Sequence, residues 1–365
     1  MRTEADFSPT WAVPPGRTIS DLLASRRMPR DQVARSMNLS VDEFDDLLTG
    51  KSALTASVAT QLEAILGASA AFWLRREEQY REQLAELTVG VDPETADYKA
   101  WLKSLPLKQM VDLGWIDGAV DKKAKLRECL EFFGVPNLDA WNRTYGGTRE
   151  AAAFRTTEAY VESAPATAAW LRRGEVLADQ IVCEDWNPAL FEKQLSRVRE
   201  LTLRPNPADF IPELQRLCAE AGVAVVLVKA PPGCRASGAT FFATPTKAVL
   251  LLSVRYLSDD QFWFSFFHEA GHLVLHYDTE SLILETTMDG PKSPMEEEAN
   301  QFAAEQLLPS AFHPRMPEAA KSKFGIARLA RDAGVSMGIV VGQLQHRGLV
   351  KREHFNKLKT RYTWS

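Results

Sequence analysis

QFWFSFFHEAGHLVLHY, residues 261–277, is the run from which the rest of the chain is best read. It is apolar on nearly every side, the pattern of a helix buried inside a core. Into that run are set His268, Glu269 and His272. On a helix, four residues return to within about 40° of the start and climb roughly 6 Å, so both imidazoles leave the same face. Two imidazoles so placed can bind one metal ion, with Glu269 beside the first of them and not itself a ligand. From there Glu269 can act as general base, taking a proton from a water that attacks a peptide carbonyl. All six histidines of the chain fall after residue 267, so metal-binding capacity is concentrated in this half.

A catalytic zinc keeps three protein ligands and one open position. The next acids downstream stand in MEEEANQFAAEQLL, residues 295–308, which reads as a helix stopped by Pro309. Glu296 is the expected third ligand, 24 residues past His272, a separation that suits two helices packed across a cleft. Glu297 and Glu298 compete with it, each pointing another way. Asn300 lies one turn beyond Glu296 and is expected to hydrogen-bond a ligand from behind. His276 would sit roughly 6 Å further along the helix than His272, too far to share an ion cleanly with His268, so a supporting role is expected of it. Tyr256, Tyr277 and Arg235 are the candidates for stabilising the transition state. One Zn2+ per chain is expected, and the same ligands accept Mn2+ or another divalent ion.

Upstream of the histidines, FIPELQRLCAEAG reads as a helix, followed by the strands VAVVLV, SGATFFA and AVLLLSV, with a turn at Pro231, Pro232 and Gly233. A polar loop is expected around 286–294. Residues 91–205 look helical and carry no chemical motif; they read as a scaffold. Nearer the N-terminus, TISDLLASRRM, RDQVARSMN, VDEFDDLLTG and TASVATQLEAILG read as short helices, the last two ended by Gly50 and Gly67, before a longer helix from AAFWLRREEQYREQL. Ala34, Asn38 and Phe44 have the spacing of a helix-turn-helix: a small residue at the crossing, a residue tolerant of the left-handed turn, an apolar anchor. The same spacing returns in Ala330, Gly334 and Val340, and there Gly338 and Gly342, four apart, favour close packing of backbones over a reading helix.

These segments give a mainly α chain with a small β-sheet, an α+β fold. Five parts follow: a tail at 1–16, a helix-turn-helix domain at 17–90, a helical linker at 91–205, a metal-site domain at 206–312 and a basic helical subdomain at 313–365. That last part holds eleven Lys and Arg against three acids, a net of +8 on a chain of −5 overall. No run is long and apolar enough to span a bilayer, so no membrane is expected. The four cysteines are scattered with no CxxC pair, and the N-terminus lacks an apolar signal core. Together these point to a cytoplasmic protein.

With these residues assembled, the C-terminal half resembles the ImmA/IrrE family of metallopeptidases. The likeness is carried by HEAGHLVLH and EEEANQFAAEQLLP, about 40 residues in all, and is expected to extend from about 206 to the C-terminus. It implies a thermolysin-like (gluzincin) domain with His268, His272 and Glu296 as ligands and Glu269 as base. It also implies a protein substrate, a helix-turn-helix repressor or antitoxin whose cleavage relieves repression, as in a stress response. Residues 15–83 similarly resemble the Xre-type helix-turn-helix of HigA-like antitoxins, through PGRTISDLL, the Ala34/Asn38/Phe44 pattern, LLTGK and AAFWLRREEQY. They depart from it in VDEFDDLL, which puts Asp42, Glu43, Asp45 and Asp46 where a DNA-reading helix wants neutral or basic residues. Residues 17–90 hold nine Lys and Arg against eleven Asp and Glu, a net of −2. Such a surface repels phosphates, so DNA stays a candidate partner only beside homodimerisation, or docking to another helix-turn-helix protein, through this domain. The alternative to a peptidase is a DNA-binding regulator or antitoxin whose peptidase-like domain senses metal without proteolysis.

Overall fold

The computed structural model describes residues 13–50, 52–88, 92–145, 158–255, 258–277, 283–286 and 294–363. The chain divides into two compact units: residues 1–172 with 231–233, and residues 173–230 with 234–365.

The first unit is helical: α1 (Pro15–Ser25), α2 (Arg30–Ser36), α3 (Val41–Leu48), α4 (Ala56–Leu66), α5 (Ala70–Thr88), α6 (Ala96–Ser104), α7 (Leu107–Asp112), α8 (Lys122–Phe133), α9 (Leu138–Thr144) and the first part of α10 (Glu158–Gln180). The helix-turn-helix spacing is realised in α2 and α3. Ala34 and Phe44 are fully buried, and Asn38 turns the chain at φ 54°. Ser40 then starts α3 with a capping box, its hydroxyl accepting from Glu43 N–H while the Glu43 carboxylate accepts from Ser40 N–H. Asp45 faces Arg30 at 3.8 Å. Glu43 and Asp45 of α3 are therefore engaged within the fold. Gly67 closes α4 in the left-handed conformation, as its position in the sequence predicts. Further on, Trp101, Phe133, Trp141 and Tyr145 form an aromatic cluster with neighbouring ring centroids 5.2–6.1 Å apart.

The second unit holds the sheet: β1 (Val223–Leu227), β2 (Ala236–Thr244), β3 (Lys247–Leu252) and β4 (Ile283–Thr286), in the order β1-β3-β2-β4. β1 and β3 are parallel, and β2 runs antiparallel to both β3 and β4. Val223, Ala224, Val225 and Val226 are all buried, as are Ala248 through Leu252, so these strands are covered on both faces. The helices of this unit are the end of α10, α11 (Pro188–Glu200), α12 (Pro207–Ala219), α13 (Asp259–Leu275), α14 (Pro294–Leu307), α15 (Met316–Ala319), α16 (Lys323–Ala333) and α17 (Met337–His346). The α+β reading holds, with one further strand, β4, that the sequence reading does not include and that ends where the polar loop is expected to begin.

The compact unit begins at Arg173, well before residue 206, because Phe191, Leu195 and Val198 of α11 are buried in the same core as β1, β3 and α13. Residues 313–365 join that core too. Ile326, Leu329, Ile339, Val340, Leu344 and Tyr362 pack with Phe262, Trp263 and Phe266 of α13. Gly338 and Gly342 supply the close approach: a Cβ at Gly338 would overlap the Asp259 carboxylate, and one at Gly342 would lie 2.8 Å from Asp260 Oδ2. Asp259 accepts hydrogen bonds from the Ser336 hydroxyl (2.7 Å) and from Thr360 N–H (3.1 Å). Lys359 pairs with Asp260 at 2.7 Å, and Trp263 Nε1–H donates to Tyr362 Oη at 3.0 Å. The basic segment thus clasps the N-terminal half of α13, and α17 spends its apolar face on that contact.

Candidate metal centre

α13 carries His268, Glu269 and His272 through the middle of the core, their side chains at most 1% exposed. Burial on every side is what the apolar run predicts. α14 comes close because Gly271 faces it: a Cβ there would be 3.1 Å from Phe302 and 3.3 Å from Ala299. Glu296 and Glu297 occupy the first turn of α14, where the helix dipole favours negative charge. Glu296 points at both histidines, Oε2 lying 3.3 Å from His268 Nε2 and Oε1 3.4 Å from His272 Nε2. The two Nε2 atoms are 3.1 Å apart. Of the three consecutive acids, Glu296 alone reaches the imidazoles; Glu297 is exposed, and Glu298 lies 3.4 Å from His276 Nε2.

These separations fit a small cation. Ligands about 2.0–2.1 Å from a tetrahedral zinc stand about 3.3–3.4 Å from one another. Among the described residues, His268, His272 and Glu296 form the one cluster of three metal-ligating side chains, with ligand atoms within 4.8 Å. The electrostatics agree with that use. Burial pushes His272 below the ordinary imidazole value, which favours the neutral, metal-binding form. Burial would raise Glu296, but hydrogen bonds from His268 and His272 outweigh it and hold the carboxyl at about 2. The donor set, two neutral imidazoles and a carboxylate, is one that zinc and its neighbours in the first transition row accept.

The other sequence candidates are placed as follows. His276 caps the end of α13 beside Glu298, its ring centroid 5.7 Å from that of His272. Asn300 lies half-buried one turn along α14 from Glu296. Tyr277 is 39% exposed and stacks edge-on to Trp186 at 6.1 Å, while Arg235 is exposed just before β2. Tyr256 is outside the described residues.

A two-histidine helix buried beneath a small mixed sheet, with an acid supplied by the following helix, defines a metallopeptidase-like domain. Residues 223–345 match the family Peptidase M78, described as the IrrE N-terminal-like domain, so the C-terminal region holds a domain of the ImmA/IrrE kind. It is also similar to an uncharacterized HTH-type transcriptional regulator, YddM, of Escherichia coli (strain K12). The two are 34% identical over 77 residues, which is 21% of this chain and 82% of that protein. Among the described residues no helix is long and apolar enough to cross a membrane.

Proposed function

We propose that the chain is a regulatory metallo-endopeptidase, holding one Zn2+ or a similar divalent ion with His268, His272 and Glu296 and using Glu269 as general base. The observation that carries this reading is the convergence of two buried Nε2 atoms and a carboxylate at 3.1–3.4 Å, with a further buried carboxylate next in sequence to the first ligand. A divalent ion bound there supplies Lewis-acid polarisation of the scissile carbonyl and a more acidic water. Glu269 accepts the proton of the attacking water at its carboxylate and returns it to the departing amine. His268 and His272, locked by their packing on α13, fix where the reacting carbonyl must lie.

The substrate proposed is a protein that itself carries a helix-turn-helix, a repressor or antitoxin, and the compartment proposed is the cytoplasm. Support comes from the match of residues 223–345 to Peptidase M78 and from a helix-turn-helix in the same chain, which offers a surface for homodimerisation or for docking to a similar domain. The test is to purify full-length Glu269→Gln with its bound partners, then ask whether wild type cleaves those partners with zinc and not with a chelator. Partners left intact by wild type under both conditions would defeat the reading. A second reading, a DNA-binding regulator that senses metal, is favoured by the likeness to an HTH-type regulator. It calls for salt-sensitive, sequence-specific DNA binding that Glu269→Gln leaves unchanged.

A further inference from the structure

β2 crosses α13 over Glu269, and at the crossing stands a glycine. A Cβ at Gly238 would overlap Glu269 Oε1 and lie 2.6 Å from both Cδ and Cγ. The conflict runs along the side chain, so turning the carboxylate alone does not relieve it. Gly238 is not among the glycines with positive φ, and its backbone is one that any residue adopts. What the position requires is therefore space. The strand is also re-aimed here: its pairing with β4 shifts between Ala236 and Gly238, leaving Ser237 as an extra residue. Glu269 itself is 0% exposed.

We propose that Gly238 is a positioning residue for the reaction, its missing side chain forming the slot in which β2 holds the Glu269 carboxylate. The proposal rests on the reading of Glu269 as general base. A base fixed from above by strand backbone and from below by its own helix has little freedom, and a displacement of about 1 Å at a reacting group costs on the order of 100-fold in rate. Nothing local in the sequence marks this glycine, since SGATFFA reads as an ordinary strand.

The test separates the pairing from the chemistry. Melting temperatures are measured on the metal-free full chain for wild type, Gly238→Ala, Glu269→Ala and the double variant. Gly238→Ala should lower the melting temperature by about 5 °C in wild type. It should lower it far less with Glu269→Ala, which removes the atoms that the new methyl meets. An equal fall in both backgrounds overturns the proposal.

The zinc-loaded chain is then assayed on a mixture of quenched-fluorescence peptides. Gly238→Ala should keep one zinc per chain and an unchanged KM while lowering kcat about 100-fold. An unchanged kcat, or loss of zinc, would overturn the proposal. A wild type that cleaves none of the peptides would count against the peptidase reading, while the melting cycle would still decide whether Gly238 holds Glu269.

Discussion

Replacing Asp259 by Asn should flatten a pH-dependent loss of stability in the metal-site unit. Burial at the first turn of α13 raises the Asp259 carboxyl to about 6 from an ordinary 3.8; Asp260 adds to the rise, and hydrogen bonds from Ser336 and Thr360 only partly oppose it. The folded chain thus binds this proton more tightly than the unfolded chain does. The stability it contributes is full below about pH 4 and is lost as pH rises through 6. At 1.36 kcal/mol per pH unit, the span from 3.8 to about 6 is worth roughly 3 kcal/mol. The amide of Asp259→Asn carries no charge at any of these pH values and still offers Thr360 N–H an acceptor. Rearranging the Ser336 contact costs about 1 kcal/mol. The variant should therefore be about 1 kcal/mol less stable than wild type near pH 4 and about 2 kcal/mol more stable near pH 7.5. Urea unfolding of the metal-free full chain, followed by tryptophan fluorescence from pH 4 to 8, reads the difference, and histidine titration common to both proteins cancels in it. A difference constant with pH, or one moving in the opposite direction, would refute the reasoning.

Other substitutions probe other contacts. Gly338→Ala drives a methyl into Asp259 and should cost about 3 kcal/mol, read as a lower melting temperature; Gly342→Ala, which meets only the Asp260 carboxylate and its Cβ, should cost less. Gly271→Ala must push α14 from α13 by a few tenths of an ångström. Competition with a chromogenic chelator should show zinc affinity weakened about tenfold, and an unchanged affinity would mean that this approach does not set the position of Glu296. Glu43→Ala removes the reciprocal half of the Ser40 capping box and should cost the helix-turn-helix about 1 kcal/mol, visible as faster hydrogen exchange in α3.

What the sequence made legible was local. HEAGH lies on a helix, and its two imidazoles meet because four residues nearly complete a turn. Asn38 adopts the left-handed turn that its place between two short amphipathic helices demands. The runs at 223–228, 237–243 and 248–254 appear as β1, β2 and β3 because β-branched and aromatic residues fill them. Hidden from the sequence were the pairings made across long separations. The hydrogen bond from Thr360 to Asp259 joins residues 101 apart. The basic residues after 313 read as a separate subdomain because their charge is local, whereas the apolar residues tying them to α13 are spread singly through the segment. β4 is short and sits among polar residues, so alternation has too few positions to register. Gly238 matters through what lies above Glu269, a fact of tertiary packing alone.

Whether two imidazoles and the Glu296 carboxylate hold one divalent ion can be read from zinc content together with zinc-edge X-ray absorption on the purified full chain. One zinc per chain is expected, with two nitrogen ligands at about 2.0–2.1 Å and a carboxylate oxygen, and a changed spectrum with weaker binding in Glu296→Ala. A chain that retains no divalent metal, or a zinc spectrum and affinity that Glu296→Ala leaves untouched, would contradict this ligand set.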